Sequence, residues 1–180
     1  RWEDALSPYV KNRWHSFTLS VNYRTPAQIM EASSGVLAEI NPTAQQPRSI
    51  RRSAYDVELI DRADNTWLVV LQQTVHHMQN FHPGEKRTCG ILVSPAVMGD
   101  LQAVMDTTIL DRTVLDAAVS LVQDAKGLEF DYVIIADPVG MVEASPQGLN
   151  DLFVAMTRAT QALAIVHDGA VPYCLSDLVE

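Results

Sequence analysis

The feature that most constrains this chain is the run Tyr132-Val133-Ile134-Ile135-Ala136, entered from the charged stretch Asp124-Ala125-Lys126-Gly127-Leu128-Glu129-Phe130-Asp131 and left at Asp137-Pro138. Consecutive apolar residues that do not alternate fit a strand covered on both faces, as in a parallel sheet buried between helices. Chemistry then belongs at the strand ends, where loops present backbone amides and polar side chains while the interior only packs. Lys126 and Glu129 also fit a plain solvated turn, and composition does not choose between the two.

The other segments repeat an alternation of strand and helix. His15 to Val21 is apolar at Phe17, Leu19 and Val21 and reads as a strand ending at Asn22-Tyr23-Arg24. Thr25-Pro26 offers an N-cap with Pro at the first helical position, and Ile29, Met30, Val36, Leu37 and Ile40 predict a helix from Pro26 to about Ile40. Ser33 and Ser34 interrupt its stripe, and Asn41-Pro42 stops it. Val57 to Ile60, Thr88 to Val93, Ala117 to Val122 and Ala162 to Val166 read as strands. Asn65-Thr66 caps a helix carrying Trp67, Val70, Leu71, Val75 and Met78, ended by His82-Pro83-Gly84. Ala96 to Met105 reads as another helix, and so does Asp151 to Ala159, with Arg158 near its C-terminal end. Asp137 to Gly148 is rich in turn formers and reads as a loop. The pattern predicts one α/β domain over residues 15–180, with a parallel sheet sandwiched by helices. Residues 1–14 read as a connection from an upstream domain, and a start at Arg1 without Met points to a piece of something longer.

Charge narrows the function classes. Thirteen Lys and Arg against twenty-two Asp and Glu give a formal charge of -9, so the chain by itself is expected to bind DNA or RNA weakly. Its one basic cluster is Arg48, Arg51 and Arg52, which reads either as a solvated loop or as a phosphate-facing patch. Cys89 and Cys174 form no CxxC pair and are expected to be reduced, buried thiols of a cytoplasmic protein. His76 and His77 are adjacent, so on a helix they diverge and make a poor ligand pair; no metal is expected. The apolar runs are too short to span a membrane.

Three segments in order, Asn22-Tyr23-Arg24-Thr25, Ala125-Lys126-Gly127-Leu128-Glu129-Phe130-Asp131 and Leu152-Phe153-Val154-Ala155-Met156-Thr157-Arg158-Ala159, resemble motifs IV, V and VI of the UvrD/Rep group of superfamily 1 helicases. The resemblance runs from about Val21 to Val166. It implies a RecA-like domain, the C-terminal motor domain called 2A, of an ATP-dependent DNA helicase or translocase. By that similarity Tyr23 stacks on adenine, Arg24 and Arg158 reach the γ-phosphate, Glu129 accepts from the ribose hydroxyl, and Gly127 lets the backbone approach the nucleotide. Two guanidinium groups would neutralise charge growing on the transferring phosphoryl, work that a lysine's point charge does less well.

The departures also inform. The family usually carries Thr-x-His just before motif V, with the His on the single strand; here Leu121-Val122-Gln123 stands there, so Gln123 is the corresponding nucleic-acid candidate, beside Arg51 and Arg52. No GxxxxGK[ST] occurs, so the resemblance implies that ATP and its Mg²⁺ are held mainly by an N-terminal P-loop domain and that this piece alone is inactive. Residues 25–122 leave no room for the large 2B insertion, which is similar to HelD-like and other reduced members, some of which act on RNA polymerase. A protein-interaction module with idle arginines is the remaining alternative to a DNA motor.

Overall fold

The computed structural model describes residues 8–9, 20–104 and 117–179. The expected connection over 1–14 and the strand before Val21 lie almost wholly outside the described residues. Elements follow in the order β1 (Val21–Asn22), α1 (Ala27–Ala32), α2 (Ser34–Ile40), β2 (Arg48–Ser49), β3 (Glu58–Asp61), α3 (Trp67–Gln79), β4 (Cys89–Val93) and α4 (Pro95–Val104). After the undescribed stretch come β5 (Ala118–Leu121), a 3-10 turn (Val122–Ala125), β6 (Phe130–Ala136), α5 (Pro138–Glu143), α6 (Gly148–Met156), β7 (Ala159–His167) and a 3-10 segment (Tyr173–Leu178).

Five strands form one sheet in the order β3-β7-β6-β4-β5, every pair parallel. β6 is central, as its unbroken apolar run predicts. Its period of two divides the core. Tyr132, Ile134 and Ala136 pack with Leu71, Val75 and Met78 of α3 and with Val97 and Leu101 of α4. Val133 and Ile135 pack on the opposite face with Ile29, Val36, Leu152 and Met156 from α1, α2 and α6. At the start of the β6–β7 pair Phe130 faces Ala159, but Tyr132 faces Ala162, so β7 carries one extra residue there. β1 and β2 make a separate two-stranded parallel pair, with Val21 opposite Arg48.

Four expectations need correction. The helix from Pro26 to Ile40 is two helices, because Ser33 turns its hydroxyl back on the Met30 carbonyl at 3.0 Å and caps the first while opening the second. Thr25 does not cap it; Pro26 holds the cap position without a side-chain bond, and Thr25 is buried. The stretch after Asp137 is not a loop throughout. Asp137, at φ 60°, accepts from the Gly140 amide at 2.9 Å and starts α5 with Pro138 behind it. A side chain at position 140 would put its Cβ 2.0 Å from the Asp137 carboxylate, so glycine is what admits this cap. Finally, the last helix ends at Met156 instead of Ala159: Thr157 bonds back to the Phe153 carbonyl at 3.0 Å, Arg158 lies in the turn, and Ala159 opens β7.

The other elements match to within a residue or two, except that β7 starts three residues before Ala162 and α6 three before Asp151. Thr66 caps α3, accepting from the Val69 amide. Cys89 is buried as expected, whereas Cys174 is half-buried, with desolvation pushing its thiol above the ordinary value. Among the described residues no helix is long and apolar enough to cross a membrane, and no group of three or more His, Cys, Asp or Glu is placed to hold a metal ion.

Candidate functional site

The candidate residues gather at the amino ends of the strands. Asn22 ends β1 and its side-chain oxygen accepts from the Arg24 amide at 2.8 Å and from the Thr25 amide at 3.1 Å. This local turn throws Tyr23 and Arg24 outward, leaving Tyr23 69% exposed. A ring this open, held by a fixed backbone turn, is free to take a flat partner.

The loop 126–129 leads into β6, and at its apex Gly127 has φ 85°. Its backbone is in the left-handed region that side chains rarely adopt, which is why glycine stands there. Nothing lies within 4 Å of where its Cβ would be, so the space around it is open. Glu129 pairs with the Arg24 guanidinium, whose side chain is 74% exposed. Arg158 comes from the turn after α6 and donates from Nη1 to the Leu128 carbonyl at 3.2 Å. In return the Phe130 amide donates to the Arg158 carbonyl at 3.1 Å. Loop 126–129 is therefore the common seat of Arg24 and Arg158, which come from distant parts of the chain. The Arg158 Nε is buried without a hydrogen-bond partner among the described residues, as are the Nε atoms of Arg62 and Arg87. A buried donor left unpaired costs free energy.

The remaining candidates sit elsewhere. Gln123 lies in the 3-10 turn past the carboxyl end of β5, beside a cavity of about 130 Å³ lined also by Pro95, Ser145 and Asp151. That is the opposite end of the parallel strands from Glu129. Arg52 makes a long ion pair with Glu31 at 3.6 Å. Arg51 is half-buried, and its carbonyl accepts from the Ala27 amide at 2.7 Å. The structure thus joins Arg24, Glu129 and Arg158 at loop 126–129 beside Gly127, with Tyr23 next to Arg24, and keeps Gln123 apart from them.

Two residues beyond Glu129, Asp131 has a different environment. It accepts from the Thr88 amide and the Thr88 hydroxyl, both at 2.9 Å, and from Arg87 at 3.4 Å. Burial alone would raise its carboxyl, but these donors outweigh burial and hold it below the ordinary value. This clamp and the Asn22 turn were missed from the sequence. A polar residue just before Tyr-Arg was the available signal for the second; the clamp joins positions 43 residues apart and left none.

Residues 116–166 match the family model of the UvrD-like helicase C-terminal domain. That segment contains Gly127, Glu129 and Arg158 but not Tyr23 or Arg24. The chain resembles a UvrD-like helicase C-terminal domain. Its fold is similar to the crystal structure of the C-terminal domain of a possible DNA helicase from Lactobacillus plantarum WCFS1, with a TM-score of 0.58 and 19% identity. The likeness covers 86% of this chain and 92% of the other. No curated protein sequence matches the chain. The five-stranded parallel sheet between helices is the expected RecA-like arrangement.

Proposed function

We propose that this UvrD-like domain is the C-terminal motor domain of an ATP-dependent DNA helicase or translocase and completes an ATP site whose P-loop lies on an N-terminal domain. The observation that carries the proposal is the convergence of Arg24 and Arg158 on loop 126–129. An exposed ion pair is worth little, so Arg24 can exchange the Glu129 carboxylate for a phosphate at small cost. The unpaired Nε of Arg158 and the exposed Tyr23 ring also fit a nucleotide arriving from outside.

Bound ATP, with Mg²⁺ from the P-loop domain, supplies the phosphoryl group to be transferred. Tyr23 gives the base a flat apolar face. Glu129, once relieved of Arg24, accepts from a ribose hydroxyl. Arg24 and Arg158 bring positive charge to the phosphoryl oxygens, where it counts most as negative charge spreads in the transition state. Closure of the two domains on the nucleotide and their reopening would convert hydrolysis into movement along DNA.

The test is steady-state ATP turnover by the complete protein with and without single-stranded DNA, beside its Arg158→Ala variant. DNA-stimulated turnover that the substitution abolishes is the expected result. Arginine-dependent turnover indifferent to DNA would move the target to a protein such as RNA polymerase, and no turnover would sink the motor reading.

A further inference from the structure

The 3-10 segment Tyr173–Leu178 packs against α2 and is fixed there. Leu175 is buried in the core beneath it, and its amide closes a turn on the Pro172 carbonyl at 2.8 Å. A Cβ at Gly35 of α2 would collide with the Cys174 carbonyl, so glycine is what lets the segment sit this close. Tyr173 is thereby held on a fixed backbone and is 87% exposed.

A cavity opens on each side of Cys174, which lines both. One, of about 190 Å³, is walled by Val142 of α5, Leu149 of α6, Pro172 and Tyr173, with Glu39 and Glu143 at its edges. The other, of about 350 Å³, has Val57 and Leu178 in its walls, with Asp56 and Asp177 among its polar groups. Among the described residues none of these four carboxylates is in an ion pair. The one cation among the described residues that lines either cavity, Arg52, is 3.6 Å from Glu31.

Like charges gathered without counterions repel one another, and a cation brought from outside relieves that repulsion. The apolar walls ask for more than a cation. An exposed aromatic on a fixed backbone beside an apolar cavity has the character of an interface anchor, because little conformational freedom is lost when it is covered. Apolar walls with carboxylates on both flanks complement one kind of chain, apolar side chains flanked by Lys or Arg. Nucleic acid does not fit, since its phosphates would meet carboxylates.

We propose that this face docks a segment of a protein partner in which apolar side chains are flanked by Lys or Arg, with Tyr173 as the anchor. The proposal rests on the face alone and holds whether or not the domain serves a DNA motor.

The probe is a fluorescein-labelled peptide Lys-Lys-Leu-Phe-Leu-Lys-Lys, titrated by anisotropy against the 180-residue chain at low and moderate salt. Tyr173→Ala should weaken binding about tenfold, the loss expected of an aromatic anchor. Glu39→Gln, Glu143→Gln and Asp177→Asn should each weaken it several-fold at low salt and flatten its salt dependence. All four side chains are exposed, so these changes leave the core intact. Asp64→Asn removes the same charge from another exposed position and should change little. A control peptide Lys-Lys-Ser-Ser-Ser-Lys-Lys should bind at least about tenfold more weakly, having no apolar surface to bury. The proposal is overturned by no binding of the apolar peptide at low salt, by equal affinity for the two peptides, or by indifference to Tyr173→Ala. It is also overturned if Asp64→Asn weakens binding as much as Glu39→Gln, which would make the attraction one of overall charge. A Tyr173-dependent dimer in analytical ultracentrifugation would assign the face to a second copy of the chain and overturn it as well.

Discussion

Glu129 and Asp131 stand two residues apart where the chain enters β6, and they differ in the number of partners they hold. Asp131 is fixed by Thr88 and Arg87, with its side chain 24% exposed. Glu129 has one charged partner, Arg24, itself on an exposed side chain. The first carboxylate ties β6 to the segment before β4; the second holds a cation that any stronger anion can take. Number and burial of partners thus separate a carboxylate that supports the fold from one that is free to exchange its partner.

Four substitutions and one pH dependence test that separation. The largest effect is at the site: Arg158→Ala should lower DNA-stimulated turnover of the complete protein by about a thousandfold or more, with an unchanged circular dichroism spectrum. Next, Asp131→Ala should destabilise the chain by about 1–2 kcal/mol in urea denaturation. Glu129→Ala should stay within about 0.5 kcal/mol of the parent yet raise KM for ATP roughly tenfold, the value of one hydrogen bond to a charged group. Equal destabilisation by the two would erase the distinction. Gly127→Ala should cost about 1 kcal/mol from its left-handed backbone alone, since its Cβ meets nothing.

The smallest effect is in pH. The Asp131 carboxyl lies below its ordinary value when folded, so its contribution is complete above the unfolded-state value near 4 and is lost as pH falls through the folded one. The stability gap between the parent and Asp131→Asn should therefore be constant from about pH 6 to 5 and narrow below about pH 4. A gap that widens in acid would reverse the assignment.

The sheet was legible in the sequence because its strands declare themselves. β4 and β6 from Tyr132 onward carry no charged side chain, as suits strands buried on both faces. α3 was legible from its stripe and from Thr66. The failures have a common cause, which is a polar side chain choosing between competing backbone partners. Asp137 and Gly140 read as turn formers, yet one caps a helix that the other permits. Ser33 and Thr157 each bend back on a carbonyl of the preceding turn and end a helix that the apolar pattern alone would continue. The site was legible only through resemblance. Composition offered Arg24, Glu129 and Arg158 as ordinary surface charges, and their meeting at one loop needs the sheet to bring them there. The general rule for open parallel sheets points to the carboxyl ends of the strands, where Gln123 lies, but the candidate nucleotide residues occupy the amino ends.

The extra residue at the start of β7 has a mechanical meaning. Between Ala159 and Ala162 the strand holds more chain than its neighbour needs, and Arg158 is attached to that surplus. Bulges are rare in parallel pairs and frequent beside active sites. Pairing is back in step from Tyr132 and Ala162 onward, so the offset is confined to the few residues that follow Arg158, and Arg158 stands where the two strands meet out of register.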